Sequence, residues 1–306
     1  MTEARSRLHE LLLAGEFVVT AELQTSDSAD PGSVTQLADL LRGWVDAVNC
    51  TDNSAAHTHV SPLAAAHLLA DEGVEPIMQL VCRDRNRLAL QADLLGAAAL
   101  GVRNVVCMTG DDVSVGDHPE AKPIYDIDSV HLLRIARIMR DDGVYLSGRS
   151  LTGSPSFLIG AVENPFAPPL EFRPMRVGMK VEAGAEFIQT QICFNLDKMR
   201  LFMARCRELG LLDQVWILAG VFIPSSARGV RYLRDQVPGV DVPEWVIERM
   251  DAQPPEAQKA EGIRIALEIV DEVRTIPGVR GIHLMTINHE EAIPRVVEGA
   301  GLHPRP

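Results

Sequence analysis

The stretch PIMQLVCRDRNRLALQADLLGAAALGVRNVVCMT, residues 76–109, decides the fold. Its first seven residues and its last six are mostly apolar, which is typical of strands in a parallel sheet that is covered on both faces. Between them, residues 87–100 have a helical pattern that stops at Gly101, a common helix terminator. The stretch therefore predicts a strand, a helix and a second strand that runs parallel to the first.

The same alternation continues in both directions along the chain. Predicted strands cover residues 17–22, 46–51, 76–82, 104–109, 156–161, 187–191, 215–220 and 281–286. Predicted helices cover residues 33–41, 62–71, 87–100, 129–140, 175–183, 197–209, 227–236, 256–275 and 290–299. Eight βα units close a parallel barrel, whereas a doubly wound sheet usually has fewer strands and often a GxGxxG turn that is absent here. We predict an α/β protein with a (βα)8 TIM barrel as a single domain over residues 1–306.

Composition narrows the class of protein. The net charge is −13 and the pI is about 5.1, so nucleic acid and anionic membranes are unfavourable partners. There is no apolar run of the ~20 residues that cross a bilayer and no apolar segment typical of a signal peptide near the start, so we expect a cytoplasmic protein. The five cysteines are scattered without CxxC spacing, which predicts buried reduced thiols and no metal site.

Active sites of such barrels lie at the carboxyl ends of the strands. Polar residues in or after the predicted strands are Glu22, Thr51, Gln79, Thr109, Gly110, Asp111, Asn164, Gln191, Thr286 and Asn288. The set has two carboxylates and several carboxamides, but no Ser/His/Asp or Cys/His combination. Such groups suit proton transfer and recognition of the N–H and C=O edges of a heterocycle.

Several motifs in order resemble the methylenetetrahydrofolate reductase family. They are CRDRN at 82–86, LGVRNV at 100–105, TGD at 109–111, VGDHP at 115–119, YDIDS at 125–129, GA at 160–161, NP at 164–165 and KVEAGAEFIQTQ at 180–191. The resemblance extends over residues 22–288 and is greatest to the short forms of acetogens and of methyltransferase fusions. It implies reduction of 5,10-methylene- to 5-methyltetrahydrofolate by NADH or NADPH, usually through bound FAD.

The resemblance also implies roles for individual residues. Glu22 is similar to the general acid that opens the folate ring to an iminium, Asp111 lies beside flavin and pterin, and Gln191 contacts the pterin. Further substrate-binding positions are Phe222, Asn288 and His289. Positions that line the flavin are Thr51, Gln79, Thr109, Gly110, Tyr125, Asp126, Asn164 and Lys180. Because an acid that protonates an amine near neutral pH has to hold its proton, we expect Glu22, which follows an apolar strand, to be shielded from water.

Some positions depart from the family pattern, mainly on the cofactor side. Gln79 and His289 stand where relatives usually have His and Arg, and Glu163 would repel a bound pyrophosphate. Two alternatives therefore remain: direct hydride transfer from the nicotinamide to the folate without flavin, and a non-catalytic folate-binding subunit. The choice between NADH and NADPH, the physiological direction and formation of a homo-oligomer also stay open.

Three local features have structural interpretations as well. Asp111 could cap a turn, and the histidines at 57 and 59 are expected to be solvated loop residues. For Arg83 and Arg85 we favour ion pairs with Asp84 or Asp93 over a role in binding phosphate.

Overall fold

The computed structural model describes residues 3–237 and 239–305, and its eight strands form a closed parallel barrel. Each strand pairs with the next in chain order, and the last pairs with the first. The strands are β1 (Val18–Leu23), β2 (Ala47–Cys50), β3 (Pro76–Val81), β4 (Asn104–Met108), β5 (Leu158–Glu163), β6 (Phe187–Ile192), β7 (Trp216–Phe222) and β8 (Val279–Met285). The predicted TIM barrel is confirmed.

Helices surround the barrel. They are α1 (Arg7–Ala14), α2 (Gly32–Leu41), α3 (Pro62–Asp71), α4 (Arg87–Ala99), α5 (Ser129–Asp141), α6 (Phe172–Ala183), α7 (Leu196–Glu208), α8 (Ala227–Gln236), α9 (Glu244–Asp251), α10 (Pro255–Thr275) and α11 (Ala292–Gly299). The sequence patterns missed α1 and α9, which have only eight residues each. Such short helices are stable mainly through tertiary packing, so their local pattern is weak.

Local capping groups explain where two of these helices begin, and Gly101 ends one of them as predicted. Ser61 caps α3, its hydroxyl accepting a hydrogen bond from the Ala64 amide, and Pro62 is the first helical residue. The Asn86 side chain caps α4 in the same way, and Gly101 follows that helix with a φ of 81°. Glycine adopts this left-handed backbone conformation readily because it has no Cβ.

The fifth strand lies two residues later than the sequence predicts. The apolar pattern predicts a strand at residues 156–161, but β5 runs from Leu158 to Glu163, so Glu163 is a strand residue rather than part of a loop. Pairing of Glu163 with Thr190 of β6 extends the strand at this end. Tertiary hydrogen bonding, which the apolar pattern does not encode, therefore sets the boundary.

The amino-terminal end of the barrel is filled by an apolar layer. Leu8 and Leu12 of α1 belong to one buried cluster with barrel residues Val18, Ala47, Ile77, Val106, Leu158, Phe187 and Leu218. Helix α1 thus closes this end of the barrel, where a (βα)8 fold has no active site. The carboxyl ends of the strands remain open to a cavity.

Alternation along each strand decides which side chains reach that cavity. In β1, Val18 lies in the apolar layer, Thr20 is fully buried two residues later, and Glu22 lines the cavity. Because side chains alternate across a strand, these three residues share the inner face of the barrel. The interior is therefore apolar at its base and polar towards the cavity.

The cysteines have the environment that their scattered spacing predicts. All five thiols are free and buried, as predicted. Among the described residues, no helix combines the length and the apolar character needed to cross a membrane.

Candidate active site

A cavity of about 470 Å³ lies at the carboxyl ends of the strands. It is lined by nine of the residues proposed from the sequence, namely Glu22, Thr51, Gln79, Thr109, Gly110, Asp111, Asn164, Lys180 and Gln191. These residues come from six different strands or the loops that follow them, and from α6. Closure of the barrel therefore brings both candidate carboxylates and both candidate glutamines to one site.

Five proposed residues do not line this cavity. Tyr125 lies beside it, and its hydroxyl donates to the Asp111 carbonyl at 2.8 Å. Asp126 forms an ion pair with Arg87 instead. Phe222 and His289 are buried, and Asn288 is exposed with a φ of 52°.

Glu22 is held through one of its two carboxylate oxygens. The Gln79 side chain donates from Nε2 to Oε2 of Glu22 at 3.4 Å, and Nε2 of His283 lies 3.7 Å from the same oxygen. The Glu22 side chain is 31% exposed, so the expected shielding from water is only partial. Its position at the floor of an open cavity explains this exposure.

A layer of buried polar side chains lies directly beneath Glu22. The amides of Asn49 and Gln189 bond each other reciprocally at 2.7 and 3.0 Å across the barrel. Nε2 of Gln189 is also 3.3 Å from both Thr20 Oγ1 and His283 Nδ1. A buried polar group without a partner is costly, and this network satisfies several at once.

The sequence interpretation missed this layer, although a signal for it was present. Counting back two residues from Glu22, Thr51 and Gln191 gives Thr20, Asn49 and Gln189. Two residues is the period of a strand, so polar residues at this spacing predict a second polar layer on the inner face. His283 bears the same relation to Met285, an apolar residue that gave no such indication.

Asp111 does not cap the turn that follows it. The side chain of Asp112 does so, accepting from the Ser114 amide at 2.8 Å. The Asp111 carbonyl accepts hydrogen bonds from Tyr125 and Arg83. These backbone contacts fix the loop and leave the exposed carboxylate of Asp111 on the cavity wall.

The two arginines of the CRDRN motif form structural ion pairs, as the sequence favoured. Arg83 is buried and pairs with Asp84 at 2.7 Å. Arg85 pairs with Asp93 at 2.8 Å and also with the buried carboxylate of Asp52. The hydrogen bonds that Arg83 donates to the Asp84 carboxylate raise the pKa of Arg83, which keeps this guanidinium charged despite its burial. His57 is exposed and His59 partly so, and no cluster of metal ligands occurs within the described ranges.

A cluster of charges, formed by Glu163, Arg173, Arg176 and Lys180, lies on the opposite wall. Lys180 Nζ is 2.5 Å from Glu163 Oε2 and also donates to the Val162 carbonyl. Arg173 and Arg176 lie 3.6 and 3.5 Å from the same carboxylate. Burial lowers the pKa of Lys180, and the Glu163 carboxylate opposes that shift.

The polar groups at the proposed flavin positions are largely engaged within the protein. The Thr109 hydroxyl accepts from the Ser129 amide, and the Asn164 amide donates to the Gly239 carbonyl at 2.8 Å. The Thr51 hydroxyl accepts from the Thr25 amide at 3.1 Å. In addition, Lys180 pairs with Glu163 and Asp126 pairs with Arg87. These contacts leave few polar groups free to bind a flavin nucleotide.

Comparison with known proteins places this site in a family. The sequence model of Methylenetetrahydrofolate reductase matches residues 8–301, nearly the whole chain. The chain belongs to the methylenetetrahydrofolate reductase family. The resemblance inferred from the motifs is therefore confirmed.

Relatives within the methylenetetrahydrofolate reductase family are distant. The chain is 25% identical over 234 residues to 5,10-methylenetetrahydrofolate reductase of Pectobacterium carotovorum, covering 76% of this chain and 72% of that protein. It is 23% identical over 241 residues to a probable methylenetetrahydrofolate reductase (NADPH) of Caenorhabditis elegans, covering 78% of this chain. The matched region spans 34% of the nematode protein and 38% of methylenetetrahydrofolate reductase 2 of Schizosaccharomyces pombe.

Solved structures support the fold. An uncharacterized protein from Clostridium thermocellum that binds two copies of 5-methyl-5,6,7,8-tetrahydrofolic acid superposes with a TM-score of 0.65 at 13% identity. The superposition covers 95% of this chain and 98% of that one. EDTA monooxygenase from Chelativorans sp. BNC1 gives a TM-score of 0.57 at 11% identity, with coverage of 93% and 92%. At these identities the likeness shows a shared barrel and nothing further.

Proposed function

We propose that this chain reduces 5,10-methylenetetrahydrofolate to 5-methyltetrahydrofolate, with NADH or NADPH as the source of hydride. The observation that carries the proposal is the placement of Glu22, Asp111 and Gln191 around one cavity in a member of this family. An acid and groups that recognise a heterocycle are what this reaction requires on the folate side.

Glu22 acts as the general acid. It gives a proton to the amine nitrogen that leaves the methylene carbon when the five-membered ring of the substrate opens. The other nitrogen then forms an iminium with that carbon, and hydride from the reduced nicotinamide converts the iminium to a methyl group. One proton and one hydride are consumed, and oxidised nicotinamide is released.

Gln191 and Asp111 orient the pterin. Oε1 of Gln191 accepts from the Ile192 amide at 2.9 Å, so its Nε2 is directed away from the backbone and can donate to a pterin carbonyl. The Asp111 carboxylate can accept from the amino and ring N–H groups of the pterin. Fixing the ring in this way places the methylene carbon for attack.

Arg176 binds the pyrophosphate of the nicotinamide donor, and Arg173, which donates to the Ala167 and Pro168 carbonyls, adds positive charge beside it. Both line the cavity near the start of α6, where backbone N–H groups and the helix dipole favour anions. The charge of Lys180 neutralises that of Glu163. The guanidiniums of Arg173 and Arg176 therefore give the cluster a net positive charge. The repulsion expected from Glu163 is thereby offset.

For the hydride carrier, the contacts favour direct transfer from the nicotinamide over transfer through FAD. The groups expected to bind the flavin are engaged in pairs such as Lys180 with Glu163 and Asp126 with Arg87. These residues do not fit the flavin role inferred from the resemblance, and no step of the proposed reaction passes through a flavin. A non-catalytic folate-binding subunit is less well supported, since it has no need of an acid at the cavity floor.

The test is turnover of the purified protein with 5,10-methylenetetrahydrofolate and NADH or NADPH, with and without added FAD. We expect oxidation of the nicotinamide in step with formation of 5-methyltetrahydrofolate, without a requirement for FAD. A requirement for FAD would restore the flavin-dependent mechanism. Folate binding without oxidation of either nicotinamide would indicate the non-catalytic subunit.

A further inference from the structure

His283 lies beneath Glu22 inside the barrel, and its two ring nitrogens face different groups. Its side chain is almost completely buried. Nδ1 lies 3.0 Å from Thr20 Oγ1 and 3.3 Å from Gln189 Nε2. Nε2 lies on the other side, 3.7 Å from Oε2 of Glu22. The imidazole therefore connects the buried polar layer to the carboxylate that faces the cavity.

The neighbours determine which nitrogen of a neutral His283 carries the proton. Because Oε1 of Gln189 accepts from Asn49 at 2.7 Å, the NH₂ group of Gln189 is the end that faces the histidine. An NH₂ group only donates, so Nδ1 is the acceptor and the proton of the neutral ring lies on Nε2. The single hydroxyl proton of Thr20 can go to Nδ1 or to the Ile282 carbonyl, so the orientation of Gln189 carries this assignment. The N–H of the neutral ring then lies on the side of Glu22, 3.7 Å from its Oε2.

Two N–H groups consequently face one oxygen of Glu22, one within hydrogen-bond distance and the other 3.7 Å away. Gln79 and His283 both approach Oε2, while Oε1 has no hydrogen-bond partner among residues 3–237 and 239–305. A carboxylic acid held through one oxygen presents the other in a fixed direction. Donors at Oε2 also stabilise the carboxylate that remains after the proton has left.

We propose that His283 is the positioning residue for Glu22, directing Oε1 as the oxygen that delivers the proton and stabilising the carboxylate that results. The catalytic consequence of this inference rests on the proposed function, whereas the contact between His283 and Glu22 does not depend on it. When Glu22 loses its proton, the carboxylate becomes the stronger acceptor. Nε2 of His283 and Oε2 of Glu22, which lie 3.7 Å apart, then come within hydrogen-bond distance. Buried packing around the imidazole fixes its orientation before substrate binds.

Two variants of His283 separate this role from simple packing. Glutamine can place an N–H as many bonds from the backbone as Nε2, whereas asparagine reaches only as far as Nδ1. We expect His283→Asn to lower kcat roughly 10-fold or more, the scale of a misplaced catalytic group, with little change in the KM for folate. His283→Gln should recover most of the lost turnover.

The controls address folding and general effects of histidine loss. Melting temperatures of both variants report whether the barrel is intact, and His118→Asn, at an exposed loop position, provides a matched surface substitution. Equal losses of kcat in the Asn and Gln variants would overturn the proposal. So would a His283→Asn enzyme with kcat within about twofold of the native value.

A second measurement does not depend on turnover. Side-chain ¹⁵N NMR of the full chain, with His283 assigned from its absence in the variants, should show the proton of the neutral ring on Nε2. The Nε2 resonance should shift in Glu22→Gln while the Nδ1 resonance changes little. An unchanged Nε2 resonance would refute the contact even in an active enzyme. If the native protein has no reductase turnover, the proposed function fails while this spectrum still decides the contact.

Discussion

Lys180 Nζ lies 2.5 Å from Glu163 Oε2, and both side chains are almost completely removed from solvent. The pair joins the end of β5 to α6 at the cavity wall, and Lys180 also donates to the Val162 carbonyl. The family resemblance implied that Lys180 binds a flavin. Its pairing with Glu163 at the end of β5 makes Lys180 part of the cavity wall, which affects the stability of the protein and the groups available to a cofactor.

We predict that Glu163→Gln destabilises the protein more than Lys180→Met. Loss of the carboxylate leaves Lys180 and two nearby arginines without their common partner, at a cost of about 3 kcal/mol in the free energy of unfolding. In Lys180→Met, the carboxylate keeps Arg173 and Arg176 within 3.6 Å, so the loss should be smaller. Urea denaturation measures both values. Glu208→Gln, at an exposed ion pair, is the control and should change stability by at most about 1 kcal/mol.

Glu22→Gln should lower reductase kcat by roughly 10²-fold or more, the range for a lost general acid. Glutamine keeps the size of the side chain and its contact with Gln79, but it has no acidic proton to donate. Nicotinamide oxidation under saturating folate measures the change. Folate binding, followed by calorimetry, should be nearly unchanged. A Glu22→Gln enzyme with near-native turnover would remove Glu22 from the mechanism.

Arg176→Ala should raise the KM for the nicotinamide donor about 10-fold, Arg173→Ala should raise it less, and both should have a smaller effect on the KM for folate. A charged hydrogen bond to phosphate contributes about 1.5 kcal/mol or more. Steady-state kinetics with each substrate varied in turn makes the comparison. Arg205→Ala, at an exposed position on α7, is the matched control. An increase confined to the folate KM would assign these arginines to the folate instead.

The purified protein should show no visible flavin absorbance and should not retain added FAD after gel filtration. The physical reason is that Asp126, Lys180 and Asn164 are occupied by Arg87, Glu163 and Gly239 respectively. An absorbance spectrum before and after incubation with FAD measures this. A stoichiometric flavin spectrum would mean that these contacts rearrange to admit the cofactor.

The native thiols should be unreactive towards a soluble disulfide reagent at about pH 8, because the thiolate is the reactive form. Burial raises the pKa of Cys82, Cys193 and Cys206 to about 12, and raises that of Cys50 and Cys107 as well. Titration in denaturant should then reveal all five. Rapid reaction of one thiol in the native protein would identify local opening at that position.

The sequence by itself determined the barrel and one polar rim. Eight apolar runs alternating with helical patterns are local signals, each readable within about ten residues, and their number favours closure. Since parallel strands end at the same side of the barrel, the positions of Glu22, Asp111 and Gln191 at strand ends predicted that they meet. The structure places all three at the cavity.

Only the tertiary structure decided what these residues contact. His283 lies near Glu22 and Thr20 because barrel closure pairs β8 with β1. It lies near Gln189 because that side chain extends from β6 into the barrel interior. Likewise, helix α1 finds its place only at the apolar base of a completed barrel. Periodicity gives the face on which a side chain lies, whereas its partner across the interior depends on strand register and barrel closure. Those relations connect distant parts of the chain and leave no local pattern in the sequence.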